Sequence, residues 1–369
     1  MIYRIELRDR DFEYINTLDN RAGNPHWSFS PVGGCAELSL RAHSRYCTEL
    51  DLAPTFNIRL KRRNPNTKVY DLVYQGRIET VNYGVGEDEE FIDIQAFGYQ
   101  SALNDIIVNR NYTGQEVSAI VKDILDQDVV PNTDLTYDAG DIENTGFSGN
   151  FKLEYTTAKD AIEKLATIAG GIEWGVDANR KVYFKAQSNV EAFHYPMEKK
   201  ITNFKLNSSS REIINRVIVI GKDVSGSKYV YTKNYSVNQN KYKRRDKIIQ
   251  NSAVDSDAVA EQLADAEQAL GDGIVDRGSF ELLEEVILES SIPVGLIKIA
   301  SREVAYDERN WNTFLLAGQG PFRIRKINYK LNEDSKLSVQ VDFGQPLPSI
   351  VESINRLKYS IDNVIQSEG

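Results

Sequence analysis

Residues 77 to 98 match residues 323 to 344 without a gap, and a self-match of fixed length near both ends of a chain limits its fold more than any other feature here. Arg77 stands against Arg323, Ile78 against Ile324, Asn82-Tyr83 against Asn328-Tyr329, Glu87-Asp88 against Glu333-Asp334, and Phe97-Gly98 against Phe343-Gly344. Val81 against Ile327 and Phe91 against Leu337 add apolar agreement. Each copy reads as a strand, an acidic turn and a returning strand, so one hairpin recurs near the two ends. Two homologous β modules in a single chain are the expectation. One detail resists: Leu337, Val339, Val341 and Phe343 alternate, while Ile92, Ile94 and Ala96 lie one residue out of phase with them. A one-residue bulge would restore the common face.

At 369 residues the chain exceeds what one hydrophobic core usually holds, so several compact units are expected. Residues 1–108 read as a first antiparallel β-barrel. Phe56-Asn57-Ile58-Arg59-Leu60 and Phe91-Ile92-Asp93-Ile94 alternate with period two, and turns fall at Pro31-Val32-Gly33-Gly34 and Gly84-Val85-Gly86-Glu87-Asp88. Residues 109–205 read as an α+β domain. Thr113-Gly114-Gln115-Glu116 has the form of a capping box, followed at helical spacing by Val117, Ile120, Val121, Ile124 and Leu125. A second helix over 157–169 turns Ile162, Leu165 and Ile168 inward and stops at Gly170-Gly171. Two short strand patterns then flank Asp177-Ala178-Asn179-Arg180 as a hairpin. Residues 206–250 and 295–345 read as a second barrel opening with Asn215-Arg216-Val217-Ile218-Val219-Ile220-Gly221. A helical insertion at 251–294, with Val259, Leu263, Ala266 and Leu270 on one face, interrupts it, and 346–369 read as a C-terminal helix. The fold class is therefore α+β, mainly β.

Composition narrows the function. Apolar residues make up 41% and charged residues 27%, and no apolar run reaches the length of a membrane span. The alternating start Met1-Ile2-Tyr3-Arg4-Ile5-Glu6-Leu7 predicts no secretory signal, and two cysteines are too few for a disulfide framework. A net charge of −10 argues against general duplex-DNA binding, which needs a basic face. Three histidines, His26, His43 and His194, and no Gly-x-Ser-x-Gly motif leave no nucleophilic triad to assemble, so no catalytic residue is predicted. Cys35, His43 and Cys47 offer three ligands where a structural zinc wants four, so neither metal nor cofactor is expected. The acidic groups Glu87-Asp88-Glu89-Glu90 and Glu281, Glu284 and Glu285 read as solvated charge, not as a glycosidase pair. Gly221-Lys222-Asp223-Val224-Ser225-Gly226-Ser227 lacks the order of a phosphate loop. The basic runs at 61–63 and 241–247 lack the interleaved aromatics of a nucleic-acid platform.

The order of these parts carries a resemblance. A first barrel with Pro31-Val32-Gly33-Gly34-Cys35-Ala36-Glu37-Leu38-Ser39-Leu40 and Gln75-Gly76-Arg77-Ile78, ending in Phe97-Gly98-Tyr99-Gln100-Ser101-Ala102-Leu103, is followed by the corner Gly170-Gly171-Ile172-Glu173-Trp174 and then by Asn215 to Gly221. This succession resembles the phage tail hub family over nearly the whole chain: contractile-phage baseplate hubs, the amino-terminal region of siphophage tail-associated proteins and that of type VI secretion spikes. The resemblance implies a non-enzymatic homotrimer in the virion tail, whose six barrels form a pseudo-sixfold ring. Its partners would be a tail tube or distal tail protein on one side and a spike, fibre or tape-measure protein on the other, with genome DNA passing through the lumen unbound. A carbohydrate-binding tail-tip module and a tail-associated hydrolase are the alternatives. In the last segment Leu347, Ile350, Ile354, Leu357, Ile361 and Val364 follow a heptad spacing. Ile350, Ile354, Leu357, Ile361 and Val364 are thus the candidate trimer or spike contact, although an amphipathic helix packed on its own barrel fits the spacing equally.

Overall fold

Alternation of apolar side chains with period two produces strands that bury one face, and strands dominate the computed structural model. It describes residues 3–18, 23–43, 52–64, 66–86, 90–169, 171–187, 191–196, 201–224, 227–250, 257–271, 273, 275–282, 296–300, 322–331 and 337–344. The chain divides into two units, Met1–Phe204 with Ser279–Phe343, and Lys205–Gly278 with Gly344–Gly369.

The first unit begins with β1 (Tyr3–Arg8), β2 (Tyr14–Leu18), β3 (Gly23–Ser30), β4 (Gly33–His43), β5 (Asn57–Arg63), β6 (Tyr70–Val85) and β7 (Glu90–Gly98), hydrogen-bonded in the order β3-β4-β7-β6-β5-β1-β2. On β7 the core takes Ile92, Ile94 and Ala96, which stand opposite Ala42, Leu40 and Leu38 of β4. Tyr3, Leu7, Trp27, Ile58, Leu60, Tyr74 and Ile78 complete this interior. Each large apolar side chain so buried contributes about 1.5–3 kcal/mol against exposure.

The α+β part follows: β8 (Ile107–Glu116), α1 (Val117–Ile124), β9 (Ser148–Thr157), α2 (Ala158–Ala169), β10 (Ile172–Val176) and β11 (Val182–Ala186). Val117, Ile120, Val121 and Ile124 of α1 meet Ala161, Ile162 and Leu165 of α2 in one cluster with Trp174, Val182 and Phe184. The hairpin around Asp177 forms as its turn residues require, with Asp177 Oδ1 accepting from the Asn179 and Lys181 backbone N–H groups. The start of α1 differs from the sequence expectation. Residues Thr113 to Glu116 belong to β8, which bulges between Tyr112 and Gln115 with Gly114 at a φ of +64°. Strand pairing with β9 therefore displaces Thr113 from the cap, and Glu116 itself caps α1 by accepting from Ala119 N.

Beyond β12 (Glu191–Pro196) the chain continues as β13 (Ile201–Ser209), then β14 (Arg216–Val224), β15 (Ser227–Asn234), α3 (Ser236–Tyr242), β16 (Asp246–Gln250) and α4 (Asp257–Leu270). Asn215 to Gly221 were expected to open the second barrel; instead β14 lies in a separate three-stranded sheet ordered β15-β14-β16. The reason is local. Val217 and Val219 are buried against Ala260 and Ala264 of α4, with Tyr229, Tyr231 and Leu263 packed around them, so this segment satisfies its own apolar face inside the second unit.

The second module's remaining strands are β17 (Val275–Leu282), β18 (Leu296–Ala300), β19 (Phe322–Leu331) and β20 (Leu337–Gly344). They continue the large sheet in the order β13-β17-β20-β19, with β18 also bonded to β19. In chain order, β3, β4, β5, β6 and β7 correspond to β13, β17, β18, β19 and β20, and each pairing in the first set has its counterpart in the second. Side chains agree with the mapping: Leu38 lies opposite Ala96 and Ile78 beside it, while Phe280 packs 5.9 Å from Phe343 and Ile324 pairs with Phe343. The strand path β13 to β2 stays open, with no hydrogen-bonded closure of either half among the described residues.

The phase conflict between the two hairpins now has a cause. Both contain a bulge, and at the same aligned place, after Ile78 and after Ile324. The difference arises in the turn, because residues 86–89 separate paired Val85 and Glu90 whereas residues 332–336, one residue more, separate paired Leu331 and Leu337. That extra residue shifts the returning strand by one and exchanges its faces. Phe343 is consequently the counterpart of Ala96, not of Phe97.

Candidate assembly interface

The two modules are fused edge to edge in one chain. β3 and β19 pair antiparallel, with Phe29 opposite Ile327, Ser28 opposite Asn328, Trp27 opposite Tyr329 and His26 opposite Lys330. Trp27 and Tyr329 stack with centroids 5.1 Å apart and planes 11° from parallel, and Tyr3 packs tilted against Trp27 at 5.9 Å. Trp27 and Tyr329 are both buried, so the seam is a piece of core. At its end Ser30 Oγ donates to the Arg325 carbonyl at 2.9 Å, at the β19 bulge where the ladder leaves that oxygen available.

The α+β part is locked to this seam. Gly175 and Val176 of β10 pair in parallel with Gly33 and Gly34 of β4. Gly34 has a φ of +84°, and a Cβ there would lie 1.9 Å from the Val176 carbonyl oxygen, so only glycine admits the approach. Tyr183 Oη donates to the Pro31 carbonyl at 2.8 Å. On β10, Glu173, 1% exposed, meets Arg323 of β19 at 3.5 Å. Burial raises the Glu173 carboxyl above the usual range, and the guanidiniums of Arg323 and Arg325 pull it back only in part.

Cys35, Lys61, Arg244 and Lys247 each have a structural setting. Cys35 is buried, and burial pushes its thiol up to about 12, so it is held as the unreactive protonated form. In the basic run at 61–63, Lys61 reaches Glu6 at 2.9 Å; hydrogen bonds from Lys61 and Arg8 overcome burial and hold the Glu6 carboxyl below its ordinary value. In the run at 241–247, Arg244 pairs with Asp246 at 2.7 Å and Lys247 with Glu267 at 3.3 Å. Cys47, Glu87-Asp88-Glu89, Glu284, Glu285 and the heptad residues Ile350, Ile354, Leu357, Ile361 and Val364 lie outside the described residues.

The sequence had marked Tyr329 through the repeat but not Trp27. The signal was present in His26-Trp27-Ser28-Phe29, an aromatic alternation that only the cross-strand neighbour makes meaningful.

No family model matches the sequence, and neither does any curated protein. Solved structures do match along nearly the full length. A 43 kDa tail protein of prophage MuSo2 from Shewanella oneidensis is 12% identical, with 93% of this chain and 98% of that one covered and a TM-score of 0.63. A tail protein from Neisseria meningitidis is 11% identical, covering 94% and 97% at a TM-score of 0.62. The prophage tail protein gp18 of Listeria monocytogenes is 13% identical, covering 97% and 99% at 0.58. The chain has the phage tail-protein fold. Tail-protein architecture of this kind thus survives identities at which individual side chains have been replaced, as the exchange of Ala96 for Phe343 between this chain's own two modules also illustrates.

Proposed function

We propose that the chain is a structural hub of a phage or phage-like tail, without catalytic activity, acting as a homotrimeric ring. The observation that carries this is the β3–β19 seam between two modules of identical strand order. A contact joining the front of one module to the back of its equivalent is heterologous, and repeated between chains it builds a ring when the rotation closes. Three chains supply six modules, a pseudo-sixfold surface able to match a hexameric tube or distal tail protein on one side while keeping threefold symmetry for a spike, fibre or tape-measure protein on the other. The fold shared with three tail proteins supports the same location, the virion tail. A net charge of −10 suits a lumen that genome DNA traverses without sticking. Ile350, Ile354, Leu357, Ile361 and Val364 are the proposed threefold contact to the spike.

Light scattering on the purified full chain tests the reading. The expected mass is that of a trimer, with a threefold annulus and central hole in electron images. A chain that stays monomeric throughout the micromolar range overturns it.

A further inference from the structure

Two strand edges are left over when the seam is compared with its counterparts. β13, the equivalent of β3, ends the strand path, with β17 on one side and no strand on the other among the described residues. β6, the equivalent of β19, is covered by β5 only as far as Ile78, whose N–H donates to Phe56 O and whose carbonyl accepts from Thr55 N. Past that point its outer edge has no strand beside it among the described residues, and it carries the apolar side chains Val81, Tyr83 and Val85, the last two 51% and 80% exposed. The corresponding residues on β19, Ile327, Tyr329 and Leu331, are buried, and β3 pairs alongside them. A long apolar edge of this kind invites strand addition unless something covers it.

We propose that the outer edge of β13 in one copy of the chain pairs antiparallel with the distal half of β6 in the next, repeating the β3–β19 seam between molecules. The statement rests on the ring reading above and specifies its joint. The register follows from two alignments. Leu206 and Phe204 take the places of Phe29 and Trp27, since Phe204 stacks on Phe343, which also packs with Phe280, and Asn203 and Ser208 bond across to Glu281 and Asp276, as Trp27 lies opposite Leu38 beside Ala96. Val81 and Tyr83 take the places of Ile327 and Tyr329 through the repeat. Leu206 then faces Val81, Lys205 faces Asn82, Phe204 faces Tyr83 and Asn203 faces Gly84. The Phe204–Tyr83 pair stands where Trp27 and Tyr329 stack. Asn207 takes the place of Ser30, so its side-chain amide donates to the carbonyl of Glu79, the bulge residue equivalent to Arg325. One edge of each kind per chain leaves none unused in a closed ring.

Disulfide trapping reads this register. In a Cys47→Ser background, where Cys35 remains buried, the full chain carrying Val81→Cys and Leu206→Cys is oxidised and run without reductant. The expected product is a covalently closed trimer, with neither single variant linking and Val81→Cys with Asn203→Cys, off register, staying unlinked. Tyr83→Asp, at an exposed position, is expected to weaken association at least tenfold while the circular dichroism and melting of the monomer stay unchanged. If light scattering gives a trimer, yet the in-register pair does not link and Tyr83→Asp assembles normally, the joint is wrong and the ring stands. A monomeric parent chain overturns both.

Discussion

Two glycines with left-handed backbones separate conformation from packing. Gly34 has a φ of +84° and no room for a Cβ beside the Val176 carbonyl, while Gly114 has a φ of +64° with nothing within 4 Å of a Cβ. Gly114→Ala is expected to cost about 1 kcal/mol, the backbone term alone. Gly34→Ala adds a steric clash at the β4–β10 junction and is expected to cost at least ~3 kcal/mol, read as the shift in urea midpoint. Glu116 makes a second residue-level case. Burial would raise its carboxyl, but hydrogen bonds from the Ser118 and Thr145 hydroxyls and the Thr145 and Ala119 N–H groups hold it at about 2, below an ordinary 4.5. Because the folded value is depressed, the stabilisation is complete above pH 4.5 and lost as pH falls toward 2. Solvent screening limits it to ~1–2 kcal/mol. Glu116→Gln should flatten that part of the stability profile and leave the part above pH 5 parallel to the parent. The sequence identified Glu116 as a capping residue and misassigned its partner. Nothing in Thr113-Gly114-Gln115-Glu116 reveals that β9 pairs with it.

Elements were legible where a pattern closes on itself within a few residues. α2 and the β10–β11 hairpin fall where helical spacing, the Gly170-Gly171 stop and Asp177-Ala178-Asn179-Arg180 put them. The β6–β7 and β19–β20 hairpins were equally plain, because strand, turn and strand are adjacent. What failed to show was anything set by distant pairing. The one-residue difference between the hairpins was visible as a phase conflict, but a bulge and a longer turn produce the same conflict, and only the paired residues separate them. β14 alternates as any strand does and carries no mark that its partners are β15 and β16. Its buried face also yields a prediction. Ala264 is fully buried over Val217 and Val219, so Ala264→Glu places a charge among apolar side chains, at a cost of about 3 kcal/mol or more. Proteolysis within residues 205–278 should accelerate at least tenfold. Tyr329→Ala removes one half of the Trp27 stack and is expected to cost ~3 kcal/mol, measured by thermal or urea unfolding.

At the scale of the whole molecule, duplication converts a pairing rule into an assembly rule. A chain with one module and a heterologous edge contact would need six copies to make six faces; a chain with two modules already contains half of those contacts as covalent neighbours, so the seam forms at the effective concentration of one polypeptide. Only the joints between chains then depend on protein concentration. This separates a closed ring from an open fibre built through the same edges. In a fibre the two end edges always stay bare, and the mean mass climbs as concentration rises. In a ring every edge is used, so the mass should reach three times the chain's 41.7 kDa and stay there from about 1 to 100 μM. Sedimentation velocity across that range distinguishes the two: a single boundary of constant coefficient fits closure, and a boundary that broadens and speeds up with concentration would mean that the rotation between modules does not close on three chains.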